Sequence, residues 1–78
     1  MSWSFNGSSP IYIQLVNKIK LDILSGKYEA GEKLRSVREM AAEASVNPNT
    51  MLKALSELES TGLIYTRRTV GRFITEDT

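Results

Sequence analysis

The stretch V-N-P-N-T-M-L-K-A-L-S-E-L-E-S-T-G, Val46 to Gly62, decides how this chain is read. It has the pattern of one helix with a face to bury and a face to display. Asn47 is a good N-cap, its side-chain oxygen able to take a free amide of the first turn, and Pro48 follows at the helical position where a missing N–H costs nothing. Met51, Ala54, Leu55 and Leu58 recur at i, i+3, i+4, i+7. At about 100° per residue, Asn49, Lys53 and Ser56 fall on the opposite side, with Thr50 at its edge. Gly62 supplies the left-handed residue that ends the helix. The displayed face is short, polar and free of acids until Glu57. Asn and Thr hydrogen-bond base edges, Lys53 can reach a base or a phosphate, and a helix N-terminus attracts phosphate, so the face suits a major-groove reader. Taken alone, it reads more readily as a solvated surface.

The neighbours shift that balance. Upstream, Ser36-Val37-Arg38-Glu39 is a capping box, Ser36 serving the N3 amide and Glu39 reaching back to the N-cap amide. The short helix so begun turns Val37, Met40, Ala41 and Ala44 inward, and only Ser45-Val46 separate it from Asn47. Two helices joined by a tight turn, with small Ala41, Ala42 and Ala44 suited to a close crossing, make a helix-turn-helix. In that arrangement the first helix meets phosphates with its N-terminus, where Arg38 sits, and the second enters the groove. Downstream of Gly62 the period changes to two. Leu63 to Arg67 and Arg72 to Thr75 are β-branched and aromatic runs around Arg68-Thr69-Val70-Gly71, a hairpin with Gly71 as its positive-φ residue. A ribbon placed there is a wing. Its arginines Arg67, Arg68 and Arg72 can discourage edge pairing, but their company with Lys53 and Arg38 favours phosphate or minor-groove contact.

The remaining chain completes a core. Ser9-Pro10 opens a first helix, Ser as N-cap and Pro at N1, and Gly26 closes it. Ile11, Tyr12, Leu15, Val16, Ile19 and Ile23 form its apolar stripe, while Ile13, Leu21 and Leu24 lie off it, at least two of them exposed. Exposed apolars of this kind are ordinary; a dimer contact is the lesser reading. Glu29-Ala30-Gly31-Glu32 suits a type II turn, and Lys33-Leu34-Arg35 reads as a short extended stretch. Residues 1–9, with Trp3 and Phe5, form an arm that either docks or frays.

With 78 residues the chain is one small domain, able to bury only about 60 to 65% of its unfolded surface. Hydrophobic content of 41% with 24% charge is globular. The net charge of +1 does not announce nucleic acid, but Lys33, Arg35, Arg38 and Lys53 stand without an acid in their segments. That segregation is a one-faced basic footprint. No cysteine is present, which excludes disulfides and thiolate metal sites and fits a reducing compartment, the cytoplasm. No apolar run exceeds three residues, so no membrane span is expected. Glu39 and Glu43 lack a third convergent ligand, so neither metal nor other cofactor is expected.

The succession P-I-Y-I-Q-L (Pro10 to Leu15), I-L-S-G-K-Y-E-A-G-E-K-L (Ile23 to Leu34), S-V-R-E-M-A (Ser36 to Ala41), V-N-P-N-T (Val46 to Thr50), G-L-I-Y-T-R-R (Gly62 to Arg68) and G-R-F-I-T-E-D (Gly71 to Asp77) resembles the DNA-binding domain of GntR-type transcription regulators. Val46 to Thr50 and the W-x-F arm look most like the short YtrA branch. The resemblance implies an α+β, mainly α, winged helix-turn-helix of three helices and a two-stranded C-terminal wing. It implies a repressor that binds an inverted-repeat operator in double-stranded DNA as a homodimer. Carried over by position, DNA contacts fall on Arg38, on Asn47, Asn49, Thr50 and Lys53, and on Arg68 and Gly71. Arg35 stands where the family usually has proline and adds a phosphate contact. Pro48 and Leu52 replace polar or basic readers of other branches, leaving specificity on fewer hydrogen-bonding residues. Thr69 replaces a frequent wing glycine and Arg72 a frequent Thr or Ser. Residues 10–78 are thus expected to be a DNA-binding domain without the family's C-terminal effector and dimerisation region, and so without a small-molecule effector site. The alternative class is a winged-helix protein-interaction module using Ile13, Leu21 and Leu24. An enzyme is not expected: histidine and cysteine are absent and no nucleophile–base pair can be assembled.

Overall fold

The computed structural model describes residues 10–75, so the arm of residues 1–9 and the last three residues lie outside the described structure. The elements run α1 (Ile11–Leu24), α2 (Val37–Ala44), α3 (Pro48–Ser60), β1 (Ile64–Arg67) and β2 (Gly71–Ile74). This is the expected winged helix-turn-helix. α3 is its centre, packed against α1, α2 and β1. Met51, Ala54, Leu55 and Leu58 are all fully buried against Leu15 and Ile19 of α1, Met40, Ala41 and Ala44 of α2, and Ile64 and Ile74 of the wing. Ala42 of the expected small-residue crossing is exposed instead, so the crossing rests on Ala41 and Ala44.

The three helices end by one device. Lys27 N–H reaches Asp22 O at 2.9 Å, Val46 N–H reaches Ala41 O at 3.0 Å, and Leu63 N–H reaches Leu58 O at 3.3 Å, each across a left-handed residue. That is the Schellman pattern. Between α2 and α3 the left-handed residue is Ser45, φ 57, and the turn is therefore as tight as the sequence requires. α2 carries the full capping box of Ser36 and Glu39.

Two details of α1 differ from expectation. Pro10 is the N-cap rather than the first helical residue, because its ψ of 146° is extended, while its carbonyl accepts from Ile13 and Gln14. Ile11, in the first turn, is exposed; Asp22 takes a place on the buried side, where Lys18 at 3.0 Å and Lys27 at 3.9 Å neutralise it. Leu21 and Leu24 are 64% and 66% exposed, and Ile13 is exposed too.

The wing pairs Ile64 with Ile74 and Tyr65 with Phe73 in antiparallel register, the two rings stacked at 5.7 Å. It also has a further partner. Gly31 N–H bonds Ile74 O, Ile74 N–H bonds Glu32 O and Leu34 N–H bonds Arg72 O, so the stretch before α2 lies along the other edge of β2. Gly71 has a positive φ of 139°, as expected, and a Cβ there would stand 2.9 Å from Lys33 Cε. The residue in the left-handed region proper is Thr69, φ 66, a β-branched residue where glycine fits better.

Thr69→Gly should therefore raise stability by about 0.5 to 1 kcal/mol, the relief of left-handed strain exceeding the added chain entropy; a lower urea midpoint would contradict this. A second expectation concerns Tyr28. Burial pushes its hydroxyl pKa above the ordinary 10.0, the carboxylates of Asp22 and Glu32 push the same way, and the Arg35 guanidinium opposes them. The folded state thus holds this proton more tightly than the unfolded one. That contribution is complete below the ordinary pKa of 10.0 and is lost as pH rises through the higher folded value. Tyr28→Phe should flatten the alkaline fall of stability, measured as urea midpoints from about pH 8 to about pH 11; an unchanged fall would refute it.

Candidate nucleic-acid interface

Burial of one side of α3 leaves its other side to solvent. Asn49, Leu52, Lys53 and Ser56 are exposed there, and Thr50 is half-buried at the edge. Asn47 Oδ1 accepts the Asn49 N–H at 2.8 Å, so its carbonyl is committed to the cap and its amide NH₂ points a donor outward. Lys53 is not a free-swinging cation. Its Nζ lies 4.1 Å from the centre of the Tyr12 ring on α1, which braces the stem along the helix.

A second group of cations gathers on the wing side of α2. An open cleft of ≈ 460 Å³ is lined by Lys33, Arg35 and Arg72, by the capping residues Ser36 and Glu39, and by Gly71. Arg72 Nε is buried and has no hydrogen-bond partner among the described residues. The missing side chain of Gly71 is what lets Lys33 cross close beneath the wing. Arg35 is engaged with Glu43 in an ion pair. Arg38, at the second residue of α2, is exposed. Arg67 lies over the Phe73 ring at 5.8 Å, and Arg68 projects at the wing tip.

The structure thus brings Arg35, Gly71 and Arg72 into one cleft, holds Asn47, Asn49, Thr50 and Lys53 on one helix, and leaves Arg38, Arg67 and Arg68 as separate exposed cations. Two placements lie outside what the sequence pattern specifies. Lys33 was visible as a basic residue, but its place in the cleft depends on pairing between residue 33 and β2, which no local pattern encodes. Tyr12 was visible as an apolar position of α1; its contact with Lys53 is likewise a product of packing.

A displayed face free of acids from Asn49 to Ser56 on the second helix of a helix-turn-helix, with cations at the first helix and the wing, defines a protein of the winged helix-turn-helix class. Residues 11–74 match the family described as "Bacterial regulatory proteins, gntR family", and the chain belongs to that family. It is similar to the HTH-type transcriptional repressor YtrA of Bacillus subtilis, 46% identical over 90% of this chain and 54% of that protein. It also resembles a GntR family transcriptional regulator from Listeria monocytogenes, with TM-score 0.89 and 52% identity over 94% of this chain and 64% of the other. A third likeness is to the DNA-binding domain of AraR, solved in complex with operator ORX1, with TM-score 0.85 and 27% identity over 96% of this chain and 99% of that one. The chain spans 63% and 54% of the two curated relatives that match it over nine tenths of its own length. Among the described residues no helix is long and apolar enough to cross a membrane.

Because Lys53 is exposed and its Nζ lies over the Tyr12 ring, Lys53→Ala should lower folding stability by no more than about 1 kcal/mol, the worth of an exposed cation–π contact. Thermal unfolding of the variant checks this, and a loss of several kcal/mol would mean that Lys53 belongs to the core.

Proposed function

We propose that this domain binds double-stranded DNA sequence-specifically, as the operator-reading part of a bacterial transcription repressor. The observation that carries the reading is the outer face of α3 from Asn49 to Ser56, free of acids and exposed because the whole opposite face is buried. The AraR domain's operator complex supports it by likeness of fold. In this reading Asn49, Thr50 and Lys53 take base edges in the major groove, with the Asn47 amide beside them. Arg38 and the α2 N-terminus hold a phosphate, and Arg67, Arg68, Arg72 and the Gly71 backbone grip the flank. Arg35 joins them by exchanging Glu43 for phosphate. Binding as a homodimer to an inverted repeat would place two such helices on successive major grooves and occlude a promoter. The work is done by binding rather than catalysis, in the cytoplasm where bacterial DNA lies, and needs no cofactor.

The test is selection of duplexes from a random pool by this chain, followed by anisotropy titration at several salt concentrations. Enrichment of one half-site motif, with log K falling against log salt at a slope of about −3 to −6, is expected; weak binding without salt dependence would refute the reading. On the enriched site, Lys53→Ala should cost about 1 to 3 kcal/mol more on the selected duplex than on random DNA. Arg68→Ala should weaken both alike and reduce the salt slope by about 1. Equal losses for Lys53→Ala on both DNAs would remove its base-reading role.

A further inference from the structure

Leu52 is the one exposed large hydrophobic residue of α3 among the described residues, 41% exposed. At about 100° per residue it stands about 60° from Asn49 and about 40° from Ser56, on the edge of the face assigned to DNA that lies away from Lys53. Along the axis it is about 4.5 Å from Asn49, close to the step between neighbouring base pairs. The sequence alone made it a gap among hydrogen-bonding readers. The structure makes it an exposed apolar surface along one edge of the face, beside the Asn49 amide and the Ser56 hydroxyl.

We propose that Leu52 reads the C5-methyl group of a thymine, one or two base pairs from the base contacted by Asn49. This rests on the DNA-reading role proposed above. In the major groove the thymine methyl is the apolar feature of a base edge. A leucine pressed against any other edge would strip water from polar atoms and give them no partner, which disfavours those bases. Leu52 therefore selects for a methyl and against its absence, a discrimination that Asn49 and Lys53 cannot make, since neither hydrogen-bonds a methyl.

The test replaces each thymine of the selected half-site in turn with deoxyuridine, which removes the methyl and keeps every hydrogen-bonding group. One position is expected at which wild-type affinity falls about fourfold, the value of one buried methyl-sized group. Leu52→Ser, whose folding is checked by thermal unfolding, should bind thymine and uracil duplexes equally at that position. Specific binding with no methyl-sensitive position, or equal sensitivity in Leu52→Ser, overturns the assignment while leaving the DNA reading intact. Failure to enrich any site overturns the DNA reading and this inference with it.

Discussion

Everything in this fold depends on how completely α3 is enclosed on one side. Met51, Ala54, Leu55 and Leu58 have no exposed surface, and they meet residues from both other helices and both strands. Deleting any of the larger ones would leave a cavity in the shared core, a loss of about 2 to 5 kcal/mol in a domain with little to spare. The enclosure also fixes which residues remain outside. Asn49, Leu52, Lys53 and Ser56 are displayed because the core determines the rotation of the helix about its axis, so packing energy and the orientation of the candidate reader are one constraint.

The wing is tied to that core more firmly than a two-stranded ribbon would be. Ile64 and Ile74 insert into it, and β2 is bonded on both edges, by β1 and by the stretch before α2. Thr75 adds a bond from its hydroxyl to Gly62 O at 2.6 Å, at the end of α3. This has an electrostatic consequence. Lys33 and Arg35 come from the stretch before α2 and Arg72 from β2, and the β2 pairing sets them around one cleft beside the N-terminus of α2. Cations held there would repel one another without a counter-charge; Glu43 supplies one to Arg35 in the free protein.

The helices, their caps and the hairpin were legible because their signals are local: Asn47-Pro48, the Ser36–Glu39 box, Gly62, and the change of period after it. Which residues α3 displays was legible for the same reason, since a helix that buries four apolar positions exposes the others. What was not legible is non-local. Pairing of Lys33 with Phe73 and bracing of Lys53 by Tyr12 join residues about 40 positions apart. The wing tip is legible in part: Gly71 carries the expected positive φ, and a second one falls on Thr69, a β-branched residue that seldom adopts it. Ile11, on the expected apolar stripe of α1, is 45% exposed in its first turn.

The central claim is that the exposed face of α3, the start of α2 and the wing form one DNA-binding surface. Amide chemical-shift mapping of the chain, titrated with the enriched duplex, tests it most directly. The account predicts that the largest shifts fall within 47–56, 35–38 and 67–72, with the Leu21 to Leu24 end of α1 unmoved. Shifts centred on Ile13, Leu21 and Leu24, with α3 unmoved, would contradict it.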